Sequence, residues 1–151
     1  MSKFKKTIAK DAKKGLPLFG ICLGMQLMFE QSEEGKGSGI GLFKGTVLRF
    51  DSENGLKVPH MGWNRVLLEK NSRHALGLPS AGWAYFAHSF YPRPEDDSII
   101  TATTSYGSTE FPSIVMQDNI LGTQYHPEKS GGFGFELISS FVNTVQTYYK
   151  T

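Results

Sequence analysis

Apolar residues in the first fifteen positions recur at helical spacing. Phe4, Ile8 and Ala12 form an i, i+4, i+8 stripe with lysines on the other faces, and Gly15 with Pro17 ends the pattern, so an amphipathic helix is predicted up to Gly15. The next stretch, Leu-Pro-Leu-Phe-Gly-Ile-Cys-Leu-Gly-Met-Gln-Leu-Met-Phe from Leu16 to Phe29, reads as a short buried strand running straight into a helix. Residues 31–41, with glycine at every second position from Gly35 to Gly41, read as a surface loop. Strand-like runs follow at residues 45–50, 63–69, 83–88, 98–104, 113–117 and 120–125. Their connections are short, which favours antiparallel hairpins and makes the middle of the chain β-rich. A closing helix is predicted from about Phe133, its apolar face set by Leu137, Ile138, Phe141, Val142, Val145 and Tyr149.

With 151 residues, 39% of them hydrophobic and 13% aromatic, the chain can bury one sizeable core, and a single domain over residues 1–151 is expected. The net charge of +2 conceals an asymmetry. Met1 to Gly15 carries six lysines and one aspartate, whereas the remainder is mildly acidic. Lysines spread around an amphipathic helix read as a solvated face rather than a nucleic-acid or membrane surface. No stretch reaches the roughly 18 apolar residues of a membrane span, and no signal-peptide core follows the lysines. The glycine-rich loop does not follow a buried strand, open a helix or end in Gly-Lys-Ser/Thr, so it is not read as a phosphate site. One cysteine fits a reducing compartment, and a cytoplasmic location is expected.

That cysteine, Cys22, sits in Gly20-Ile-Cys-Leu-Gly24 at the strand-to-helix junction. A sharp turn there presents its apex side chain, and small neighbours let two backbone segments approach. At a helix start the sulfur is expected to favour thiolate, below the usual thiol pKa of about 8.5. The plain alternative is a buried core cysteine; the glycine frame favours a nucleophile. A base is then needed, and the chain offers His60, His74, His88 and His126. His126 is best placed: it follows an apolar strand and precedes Pro127 and Glu128. The proline is expected to hold the chain extended, so that the carboxylate orients the imidazole. His88 lacks such an acidic neighbour and reads as a structural histidine.

Gly-Ile-Cys-Leu-Gly-Met-Gln followed about a hundred residues later by His-Pro-Glu resembles the triad-type, class I glutamine amidotransferases. Within these, Val58-Pro-His-Met-Gly-Trp-Asn64, Tyr85-Phe-Ala-His-Ser-Phe-Tyr91 and Lys129-Ser130 resemble, in order, the glutaminase subunits of imidazole glycerol phosphate synthase. The resemblance implies an α/β fold, an incomplete three-layer sandwich around a mixed, mostly parallel sheet with a β-rich middle part. It also implies hydrolysis of glutamine to glutamate and ammonia by Cys22, His126 and Glu128, with the Leu23 N–H as one oxyanion donor. Gly24, Gln26, Ser89 and Phe90 would bind glutamine, Gln26 by its side chain and Ser89 and Phe90 by backbone groups. Trp63, Asn64, Tyr85 and Lys129 would face a cyclase subunit in a heterodimer serving histidine biosynthesis. Packing remains an alternative for Trp63, and a solvated charge for Lys129. No cofactor and no metal are implied.

The chain departs from the resembled family in one respect. Family members carry strand–helix units ahead of the nucleophile strand, one of them with a Pro-Gly-x-Gly turn that supplies the second oxyanion donor, and only 21 residues precede Cys22 here. The resemblance therefore implies a missing N-terminal portion, an exposed strand edge beside the nucleophile strand, and little turnover by this chain. Two other readings stand beside the glutaminase: a partner-binding subunit without turnover, and another triad enzyme such as a γ-glutamyl hydrolase. Lys129 and the Gly-Trp-Asn loop argue against the last.

Overall fold

The computed structural model describes residues 3–35, 37–52, 55–70 and 76–150. Helix α1 (Lys3–Lys13) ends as its sequence requires. Gly15 adopts φ 95°, and the bonds Leu16 N–H to Asp11 O and Gly15 N–H to Ala12 O close a Schellman-type cap. Of the stripe only Ala12 is buried; Phe4 is exposed and Ile8 half-buried.

Strand β1 (Leu18–Ile21) runs parallel to β9 (Ile120–Thr123), with Ile21 opposite Thr123. From β9 the sheet continues through β8 (Thr109–Gln117), β7 (Ile100–Tyr106), β4 (His60–Leu68) and β5 (Ala81–His88), in the order β1-β9-β8-β7-β4-β5. A second sheet, β2-β3-β6, joins β2 (Phe29–Ser32) in parallel to β3 (Phe43–Arg49), which pairs antiparallel with β6 (Phe90–Pro94). Helix α3 (Gly131–Tyr148) closes the described chain.

The α/β class and the mixed sheet agree with the sequence reading. Parallel pairing is scarcer than expected: among the described residues it is confined to β1–β9 and β2–β3. The two-residue connections from β7 to β8 and from β8 to β9 permit only hairpins. The flanking layers also differ from each other. Leu137 of α3 packs with Ile114 and Leu121, whereas Met25, Phe29, Phe43 and Val47 pack with Val115, so neighbouring residues of β8 serve different cores, as alternation along a strand dictates.

The helix predicted to run to Phe29 is a single turn, α2 (Leu23–Gln26). Met25, Met28 and Phe29 are buried at helical spacing. Helix is nevertheless abandoned, because Ile40 N–H bonds to Leu27 O and the N–H groups of Leu42 and Phe43 to Met28 O, drawing the next residues into β2. β6 escaped the sequence reading because Phe-Tyr-Pro-Arg-Pro looks like a strand breaker; it is tolerated at the edge of its sheet.

β1 passes directly beneath α2. A Cβ on Gly20 would lie 2.7 Å from the Gly24 carbonyl carbon and 2.8 Å from its oxygen, whereas a Cβ on Gly24 meets nothing within 4 Å. Gly20→Ala is expected to cost about 2 to 3 kcal/mol, read as a Tm lower by roughly 5 to 10 °C. Gly24→Ala should leave Tm unchanged or slightly raised, and equal Tm values for the two variants would refute the close-approach account.

Candidate active site

The parallel β1–β9 pair delivers two segments to one end of the sheet. Cys22 N–H bonds to Thr123 O at 2.7 Å, extending the ladder by one residue before the chain turns into α2. Cys22 itself takes φ 51° and ψ −106°, a strained conformation for a residue with a Cβ, of the kind kept at functional apices. Its sulfur lies 3.8 Å from Ala87 O and 3.6 Å from Gln124 Nε2.

Beyond β9 the backbone does not stay extended. Pro127 opens a single 3-10 turn, Pro127–Lys129, because a fixed φ suits the first helical position. The turn swings Glu128 back, so that its Oε1 sits 2.8 Å from His126 Nδ1. The orienting carboxylate is thus present by a different local geometry from the extended one predicted. His126 N–H bonds to Tyr85 O at 2.9 Å, and the buried Ser130 bridges the same elements, its Oγ donating to His126 O at 2.6 Å and accepting from Tyr85 N–H at 2.9 Å. In the sequence reading Ser130 stands only within the Lys129-Ser130 motif and has no bridging role.

The expectation of a thiolate at rest is corrected. Burial pushes the Cys22 thiol above its ordinary pKa, with Glu128 and Glu34 adding to the rise, against opposing bonds from the Leu23 N–H and Gln124. A one-turn helix has little dipole to set against desolvation. Beside the sulfur opens a cleft of about 430 Å³ lined by Cys22, Leu23, Gln26, Met61, Ser89 and Phe90, among others. Gln26 donates from Nε2 to Phe90 O at 2.9 Å and to Gln124 Oε1 at 3.1 Å, leaving its own Oε1 as the remaining acceptor. The carbonyls of Ser89 and Phe90 are engaged within the protein, Ser89 O by Phe50 N–H, so only their N–H groups could serve a ligand. Gly24 lies on α2 without lining this cleft.

His60 and His88 are buried as a bonded pair, Nδ1 to Nε2 at 2.9 Å, and burial pushes them down to about 4 and about 3 respectively. The structural reading of His88 fits this setting; His74 lies outside the described residues. Trp63, opposite Tyr85 across the β4–β5 ladder, is 55% exposed, its ring meets the Tyr85 ring edge-on at 6.2 Å, and Lys129 Nζ lies 5.8 Å from the Tyr85 ring centre. These three form one surface. Asn64 falls on the opposite face of β4 and bonds to Ser105 O at 2.9 Å, which corrects its grouping with Trp63. Trp83, opposite Arg65 on the outer face and 59% exposed, and Met61, 62% exposed, were not singled out in the sequence. Among the described residues no cluster of three or more His, Cys, Asp or Glu is poised to hold a metal, and no helix is long and apolar enough to cross a membrane.

A strained cysteine elbow and a carboxylate-bound histidine, on the segments that leave two paired parallel strands of an α/β sheet, define a class that the comparisons bear out. The profile of class-I glutamine amidotransferases matches residues 2–143, and the chain belongs to that family. It is 44% identical over 143 residues to imidazole glycerol phosphate synthase subunit HisH of Thermosynechococcus vestitus, covering 92% of this chain and 67% of that protein. It is 43% identical over 143 residues to the subunit of the same name from Methanocaldococcus jannaschii, covering 94% and 71%, and 42% identical over 141 residues to that of Acaryochloris marina, covering 91% and 64%. The chain thus spans about two thirds of the length of these relatives. The fold matches a solved glutamine amidotransferase with TM-score 0.67 at 18% identity, covering 94% of this chain and 68% of the other. A second, from Thermotoga maritima, matches with TM-score 0.58 at 17% identity, covering 99% and 57%.

Both depressed histidines bind fewer protons folded than unfolded between their folded values and the ordinary 6.5, so their stabilising contribution is full above pH 6.5 and lost as pH falls toward 4 and then 3. Tm should accordingly decline from pH 7 to pH 4, and the decline should be shallower in His60→Gln; an equal slope in that variant would count against the pair as its source.

Proposed function

We propose that this chain, one glutamine amidotransferase domain over residues 1–151, hydrolyses glutamine as the glutaminase subunit of a cytoplasmic imidazole glycerol phosphate synthase. The observation that carries this reading is the His126–Glu128 contact of 2.8 Å on the segment leaving the strand parallel to the cysteine elbow. The Cys22 proton passes to His126 as the sulfur attacks the glutamine side-chain carbonyl, because a thiol raised by burial ionises only as it reacts. Glu128 holds the ring and stabilises the imidazolium. The tetrahedral oxyanion takes the Leu23 N–H, and collapse expels ammonia with the proton returned by His126. Water then cleaves the γ-glutamyl thioester, His126 again acting as base. Gln26 and the N–H groups of Ser89 and Phe90 receive the substrate in the cleft.

The partner is a cyclase subunit that receives the ammonia. Its docking face is the outer side of the β4–β5 hairpin with Trp63, Tyr85 and Lys129. Met61 and Ala87, on that same side, also line the cleft, so a covering partner would meet ammonia where it leaves. A second reading, partner binding with weak turnover, is favoured by one observation: among the described residues β1 is an edge strand, with no neighbour opposite β9.

An electrophilic glutamine analogue should add its mass to Cys22 and to no other residue; no adduct on folded protein would refute the nucleophile. Trp63→Ala or Lys129→Ala should weaken cyclase binding by tenfold or more, read by calorimetry, with Tm unchanged. Wild-type binding by both variants would remove this face from the interface.

A further inference from the structure

Gln124 follows β9 and is fully buried, yet no role in the triad accounts for it. Both ends of its amide are committed: Oε1 accepts from Gln26 Nε2 at 3.1 Å, and Nε2 donates toward Cys22 Sγ at 3.6 Å. The other hydrogen of Gln26 Nε2 goes to Phe90 O at 2.9 Å, and that carbonyl also faces His88 Nδ1 at 2.7 Å. A ring nitrogen against a carbonyl carries the hydrogen. His88 is held neutral by burial, so its Nε2 is bare and His60 Nδ1, 2.9 Å away, is the donor. His60 is neutral too, and its Nε2 accepts from Asn64 Nδ2 at 3.2 Å. Asn64 is anchored in turn, Nδ2 also donating to Ser105 O at 2.9 Å and Oδ1 accepting from Arg65 N–H at 2.7 Å. The donor and acceptor ends of each side chain along this line are thereby assigned. A flipped Gln124 amide would set its Nε2 against the Gln26 Nε2 and its oxygen against the sulfur.

We propose that Gln124 is a further catalytic residue, whose Nε2–H is the side-chain donor that receives the Cys22 sulfur when its proton leaves. Gln26, His88, His60 and Asn64 are positioning residues that keep the donor end of that amide turned toward the sulfur. In the resting thiol the S–H faces Ala87 O at 3.8 Å. When the S–H bond breaks, the proton goes to the base and the electron pair stays on sulfur, which now accepts from Gln124 and from the Leu23 N–H. The charged and titratable groups shown to act on or share the cleft of the sulfur are Glu128 on the turn after β9, Glu34 after β2, and His88 on β5. The two carboxylates oppose ionisation and His88 stays neutral, so the Gln124 donor works against the local field. Buried networks of this kind fix orientation, because turning one member strands a polar group on its neighbour.

The role in turnover rests on the amidotransferase reading, but the hydrogen bond itself does not, and the test uses neither glutamine nor a partner. Cys22 is the only cysteine, so the pH profile of its alkylation by iodoacetamide, read by mass, reports one thiol. Gln124→Met keeps the bulk and removes the donor. Its alkylation midpoint should rise by about one pH unit, a roughly tenfold slower reaction at neutral pH, the size of a lost bond to a charged group. An unchanged midpoint in folded Gln124→Met overturns the proposal. If that variant fails to fold, the unmodified protein gives the answer by NMR: the Gln124 side-chain amide should shift with the alkylation midpoint and stay flat in Cys22→Ala. An amide that does not move through that midpoint overturns the proposal equally. A Gln124-dependent thiol in a protein that no glutamine analogue labels would leave this inference standing and defeat the amidotransferase function.

Discussion

Everything chemical in this protein depends on the parallel pairing of β1 with β9. Two strands about a hundred residues apart in sequence run side by side in the same direction, so the segments leaving them emerge together. The Cys22 N–H bond to Thr123 O carries that pairing into the elbow itself. An antiparallel arrangement of the same strands would send Cys22 and His126 to opposite ends of the sheet. Gly20 makes the arrangement possible, since only a residue without Cβ lets β1 run so close to the backbone of α2.

The β4–β5 hairpin works on both faces. Inward, His60, Val66, Phe86 and His88 are buried, and the two imidazoles belong to a polar line that ends at the nucleophile. Outward, Met61, Trp63, Trp83 and Tyr85 leave an aromatic surface in water, larger than a solvated strand face needs. Strand alternation thus places the face with the buried imidazoles and the exposed aromatic face one residue apart.

Burial sets the electrostatic character of the site. Burial and nearby carboxylates rather than cations disfavour ionisation of the resting thiol. In the proposed reaction the proton would go to His126, whose ring is already held by Glu128. The two neutral imidazoles behind the cleft add hydrogen bonds without adding charge, which a buried pair could not sustain.

Much of this was legible in the sequence because it rests on local rules. The glycines around Cys22 announced an elbow, Gly15 the end of α1, the short turns the antiparallel middle, and His-Pro-Glu the histidine with its carboxylate. What stayed hidden depended on partners distant in the chain. The helix after Cys22 shrank to one turn because residues 40 to 43 claim the backbone of Leu27 and Met28, a competition that no window around Cys22 reveals. The sulfur became a raised thiol because packing, not helix position, set its solvation. Asn64 turned inward and Trp83 outward by the phase of alternation, which the identity of neither residue specifies. Gln124 was silent as a residue type. A buried amide acquires meaning only when Gln26 and Cys22, about a hundred residues earlier, are folded onto its two ends, so the sequence could point to Cys22 and His126 as candidates while the tertiary structure alone decided what surrounds them.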